Sequence, residues 1–194
     1  MQERIFSERE KAIEDSYFRQ RDAALIDKLR QKADLDEIAS ALRDKLQVDN
    51  PELLKRVREL GITVETAPAF LLAPLVQVAW AEGHVTKQEH DAVLRLARGR
   101  GVEAGSPAYA QLEDWLKARP SDDLFDTAVE AIRYGFELLP PRERDEKIRD
   151  LVHACQEVAE ASGGLGRLLG LGSGVSTSEA STLDTITRTL RSHG

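Results

Sequence analysis

Glu82, Glu89 and Asp91 place three carboxylates in one short stretch, with His84 between the first two. That chemistry suits a hard cation, because Ca²⁺ or Mg²⁺ collects several oxygen ligands and these side chains supply three. The histidine adds little, since a lone imidazole with no second His or Cys nearby makes a poor transition-metal site. The same residues have a purely local reading. Thr86 and Glu89 are spaced as a capping box, in which hydroxyl and carboxylate satisfy each other's backbone N–H, and Gly83 is a helix stop. A divalent cation and a helix cap both explain the glutamates on sequence grounds.

Other constellations argue against catalysis. The four histidines, His84, His90, His153 and His193, show neither triad nor metal spacing. No Gly-rich loop precedes a Lys-Ser/Thr pair, and no nucleophile elbow is present. The only cysteine, Cys155, lies among apolar residues of a helical stretch, so no intramolecular disulfide forms and a buried, inert thiol is expected. The chain therefore reads as non-enzymatic.

The elements that must position these residues are helical. The chain has 194 residues, 41% hydrophobic and 31% charged, which is the balance of a globular protein. Ala, Leu, Glu, Arg and Asp dominate over β-branched and aromatic residues. The net charge of −7, with no long basic block, argues against a nucleic-acid partner, which needs clustered Lys and Arg. The start, Met1-Gln2-Glu3-Arg4, is charged at once, so no signal peptide is expected. The most apolar stretch, 67–81, is too short to span a bilayer and reads as a core helix. Together with the cysteine usage, this predicts a soluble protein of a reducing cytoplasm.

Apolar periodicity divides the chain into three parts: a charged amphipathic helix in 1–33, linking short helices in 34–65, and a compact helical domain over 66–194. Asn50-Pro51 caps a helix that Gly61 stops. In the third part the pattern predicts helices over 66–82, 87–99, 106–118, 122–138, 141–161 and 177–191, with no strand alternation.

Self-similarity is the strongest organisational signal. Val78-Ala79-Trp80-Ala81-Glu82-Gly83 has a counterpart in Val158-Ala159-Glu160-Ala161-Ser162-Gly163. Val85-Thr86-Lys87-Gln88-Glu89 opens the next helix after the first, and Val175-Ser176-Thr177-Ser178-Glu179 does so after the second. Each half is a helix, a Gly turn, an apolar anchor and a capped helix. Ala79, Ala81, Glu82, Gly83, Val85, Thr86 and Glu89 fill the pattern Ala-x-Ala-(Asp/Glu)-Gly-x-Val-(Ser/Thr)-x-x-Glu, which resembles the TerB, or tellurite-resistance B-like, family over roughly 66–192. The resemblance implies an all-α bundle of two pseudo-repeated halves and a bacterial origin. It also implies a link to stress responses, tellurite resistance or membrane-associated co-chaperones, at the inner-membrane surface where the protein is peripheral. It implies no catalysis.

The halves differ in their turns. One residue, His84, separates Gly83 from Val85, whereas 164–174 form a Gly-rich insert carrying Leu165, Leu168, Leu169 and Leu171. These leucines read either as a linker folding onto the bundle or as an exposed contact for a partner or membrane surface.

A second resemblance lies in the first helix. Phe6, Arg9, Glu10, Ala12, Glu14, Tyr17, Phe18 and Arg19 fill a pattern similar to the inhibitory helix of the mitochondrial inhibitor protein of the F-type ATP synthase. This implies a protein partner, the ATP synthase catalytic subunits, with Tyr17 and Phe18 as aromatic anchor and Arg9, Glu10, Glu14 and Arg19 around it. The family's histidine switch has no counterpart, because no His precedes His84. A charged helix that packs on the bundle, or that makes a homodimer by pairing with a second copy, is the local alternative.

Overall fold

The computed structural model describes residues 50–162 and 175–192, together with Leu25. The chain divides into two units, Met1–Glu37 and Ile38–Gly194. Of the first, only Leu25 is described; it is helical and exposed. The inhibitor-like residues Phe6, Arg9, Glu10, Glu14, Tyr17, Phe18 and Arg19 therefore lie outside the described residues, as do Leu165, Leu168, Leu169 and Leu171 of the insert.

The second unit is all-helical among its described residues. Helix α1 (Pro51–Glu59) starts where Asn50 Oδ1 accepts from the N–H groups of Glu52 and Leu53, at 3.1 and 3.2 Å. It buries Leu53, Leu54 and Val57. The chain then continues through α2 (Ala67–Phe70), α3 (Ala73–Ala79), α4 (Lys87–Gly99), α5 (Pro107–Lys117), α6 (Asp122–Glu137), α7 (Pro141–Ser162) and α8 (Thr177–Arg191). Arg56 fastens α1 to α6, donating to Glu130 at 2.6 Å and to the Thr127 hydroxyl at 2.9 Å.

One expectation needs correction. The apolar run 66–82 is not a single helix but breaks at Leu71-Leu72 into α2 and α3. Pro74 is the cause: it has no N–H to offer a carbonyl one turn back, and it fits only within a helix's first turn. The chain restarts there, with Leu75 N–H donating to Leu72 O at 3.0 Å.

Helix α3 is the hub of the bundle. Ala73, Pro74, Leu75, Val76, Val78 and Ala79 are all buried, and α4, α5, α6, α7 and α8 all pack on it. A seven-residue segment this apolar holds its helical form because neighbours bury all of it but the half-buried Gln77. Each fully buried Leu or Val there contributes about 1.5–3 kcal/mol. The repeat emerges as reciprocal packing. The second helix of the first half, α4, packs on α7, the first helix of the second half. In return α8 packs on α3, and α3 packs on α7. The matched positions Val78, Ala79, Val158 and Ala159 fill this junction, each no more than 1% exposed. Among the described residues no helix is long and apolar enough to cross a membrane.

Candidate functional site

The first turn is built from the end of α3. Trp80 closes that helix and its indole N–H donates to Trp115 O at 2.8 Å, tying the turn to α5. Gly83 adopts φ +82°, a conformation that a side chain would strain, and its N–H donates to Trp80 O at 2.9 Å. Thr86 is extended, and its hydroxyl accepts from Glu89 N–H at 3.2 Å. Glu89 reaches back, with Oε2 accepting from Thr86 N–H and from the Thr86 hydroxyl, both at 2.7 Å.

The second half repeats the cap. Ser176 is extended, its hydroxyl accepts from Glu179 N–H at 3.2 Å, and Glu179 Oε2 accepts from Ser176 N–H at 2.6 Å. Both capping boxes read from the sequence are therefore formed.

Reciprocal packing brings the two caps together. Glu89 and Glu179 are each 1% exposed, and Glu179 lies close enough to act on the Glu89 carboxyl. Burial pushes the Glu89 carboxyl above its ordinary value. The Thr86 backbone and hydroxyl donors oppose the rise, and the charge and hydrogen bond of Glu179 add to it. Two ionised carboxylates repel, so a proton on Glu89 favours this contact. Thr127 is the only other polar side chain in the core of the described residues.

The structure does not gather the three carboxylates of the first turn. Glu89 points inward as a cap and a carboxyl partner. Glu82 is exposed, and only its backbone O approaches His84 Nδ1, at 3.4 Å. Asp91 is exposed on the outer side of α4, 3.3 Å from His90 Nδ1. Two residues on a helix differ by roughly 200° in direction, so Glu89 and Asp91 cannot share a face. Among the described residues, no three His, Cys, Asp or Glu side chains converge as a metal-binding group. Cys155 is fully buried in α7, and burial pushes its thiol up to about 12, against a smaller opposing effect of Arg100. It stays protonated and unreactive at neutral pH.

Glu179 is the residue that sequence reasoning undervalued. It appeared there only as a cap, although its match to Glu89 in the repeat was the signal that both would occupy the same junction.

No family model, curated protein or solved structure matches the chain. Among the described residues, fold and site together define an all-helical bundle in which two capped helices, α4 and α8, bring buried glutamates to one junction.

Proposed function

We propose that this chain is a non-enzymatic, TerB-like stress-response protein that acts through contacts with a protein partner or a membrane surface. The observation carrying the reading is the duplicated cap. Thr86 with Glu89 and Ser176 with Glu179 make the same two-way hydrogen bonds, and the helices they start pack across onto each other's half. That is the internal pseudo-symmetry the resemblance implies. Its activity would lie where the halves differ, at Glu82 and His84 of the first turn and at the leucine-rich insert of the second. Ca²⁺ or Mg²⁺ at Glu82 and Asp91 is part of the same proposal, with further oxygen ligands supplied by a partner. Calorimetric titration of each ion, with and without Glu82→Gln, tests that part.

The test of the main reading is survival of a sensitive bacterial host under tellurite. The full chain should raise tolerance, and replacing Leu165, Leu168, Leu169 and Leu171 by Ser should remove the gain. Unchanged survival with well-expressed, folded full chain would overturn the reading.

A second reading rests on the eight matched positions between Phe6 and Arg19: inhibition of ATP hydrolysis by F-type ATP synthase. Full chain, a chain lacking 1–32, and Tyr17→Ala/Phe18→Ala are compared in an ATPase assay. Inhibition by the full chain alone supports it, and equal rates in every case end it.

A further inference from the structure

At the end of α4 remote from its cap, the bundle opens into a cavity of about 970 Å³. It lies outside the carboxyl pair, and residues 81–85 of the first turn do not line it. Its walls come from the α2–α3 corner, the last turns of α4 and α6, and the middle of α7. Leu71, Leu72, Leu96, Ile132, Phe136 and Leu151 make the interior apolar. Gly99 stands in the wall without a side chain, and a Cβ there would meet nothing within 4 Å.

The charged groups lining the cavity are mostly cationic. Arg95, Arg100 and Lys147 contribute, with His153 beside them, against a single lining carboxylate, Asp150. Arg95 is held by Glu157 at 3.2 Å, and His153 Nδ1 lies 3.2 Å from the same carboxylate. Arg100 donates to Leu96 O at 3.2 Å. Among the described residues, neither Arg100 nor Lys147 pairs with a carboxylate. In a chain of net charge −7 this is a local inversion of sign.

An apolar interior under a cationic lining fits a molecule with a hydrocarbon chain and one anionic head. The size is that of a small-molecule site, for which roughly 300–1,000 Å³ is usual. A membrane surface fits less well. The apolar side chains are recessed in a concavity, and among the described residues of this unit only Val64 and Leu138 are large, hydrophobic and exposed. Insertion into a bilayer calls for protruding apolar side chains on one face. We infer that this cavity binds a free, single-chain aliphatic carboxylate, a fatty acid, with its chain between α4, α6 and α7 and its carboxylate at Arg100 and Lys147. The site stands independently of the tellurite and ATPase readings.

The test is calorimetric titration of the full chain with dodecanoate, and with dodecyltrimethylammonium of equal chain length, both kept below micelle formation. Dodecanoate is expected to bind one per chain in the micromolar range, about 1–50 µM, and the cation at least about tenfold more weakly. Gly99→Phe places a ring in open space at the cavity wall and should abolish binding while the circular-dichroism melt stays unchanged. Lys147→Glu, on an exposed residue, should weaken dodecanoate about fivefold and narrow the gap to the cation. Absence of dodecanoate binding overturns the inference. Equal binding of the two amphiphiles, or full binding by a folded Gly99→Phe chain, overturns it as well. Binding to phosphatidylglycerol vesicles without binding to free dodecanoate would replace the cavity with a membrane contact.

Discussion

The two halves solve one local problem in the same way and differ in the helices that lead into it. In each, a hydroxyl residue in extended conformation and a glutamate three residues later close a capping box, and the glutamate is buried. The helices leading into them differ. α3 is seven residues, all buried but the half-buried Gln77, whereas α7 is 22 residues and buries one stripe, including Ile148, Leu151, Ala154, Cys155 and Val158. Position 77 of the first half corresponds to 157 of the second. Gln77 leaves its Oε1 buried without a hydrogen-bond partner, while Glu157 reaches Arg95 and His153 at the surface. What matches between the halves is thus the part that builds their junction. What does not match is the part free to take on other roles.

If the junction is symmetric in energy as well as in geometry, removing either buried glutamate should cost the same. Glu89→Ala strips the acceptor from Thr86 N–H and hydroxyl and leaves Glu179 facing a void. Glu179→Ala does the reverse. Each should lower stability by about 2–3 kcal/mol in denaturant unfolding. A gap of more than about 1 kcal/mol between the two variants would break the equivalence.

The cap hydroxyls provide a finer comparison. Thr86→Ala and Ser176→Ala should each cost about 1 kcal/mol. The Thr86 loss should be the larger, because its hydroxyl also donates to Glu89. A smaller effect at Thr86 would mean that this extra bond contributes nothing to the junction.

The weakest effects belong to the unmatched pair. Gln77→Met removes a buried acceptor that has no partner and should be neutral or stabilising by up to about 1 kcal/mol in thermal unfolding. Glu157→Gln disturbs only partly exposed ion pairs and should change stability by less than about 0.5 kcal/mol. Strong destabilisation by Gln77→Met would mean that the amide has a polar partner after all.

Much of this architecture is legible in the sequence. The pattern predicted helices over 87–99 and 177–191, and α4 and α8 occupy those spans. Caps explain the success: Thr86, Ser106, Ser121 and Ser176 each accept from a backbone N–H three residues on. The break between α2 and α3 was hidden because apolar side chains run unbroken through Leu71 and Leu72, so periodicity carries no mark of it. Glu82, Glu89 and Asp91 looked like one cluster because they are close in sequence. Helical geometry sends Glu89 inward and Asp91 outward, while Glu82 stays exposed in the turn before the helix. The cavity had no sequence signature, since its walls are drawn from positions 68 to 153 on separate elements.

Glu89 and Glu179 meet at the junction of the halves, and the pH dependence of stability tests whether a proton on Glu89 supports that contact. The raised Glu89 carboxyl contributes stability in full below its unfolded value of 4.5, and that contribution is lost as pH rises through the folded value. Glu179→Gln keeps an acceptor for Ser176 N–H and offers Glu89 a neutral amide donor, so ionising Glu89 becomes easier. The decisive measurement is unfolding free energy against pH for the natural chain and Glu179→Gln. The two should be nearly equal at about pH 4 and diverge as pH rises, with the variant more stable by about 1 kcal/mol at about pH 8. Parallel curves across the whole range would contradict a proton on Glu89 supporting the contact.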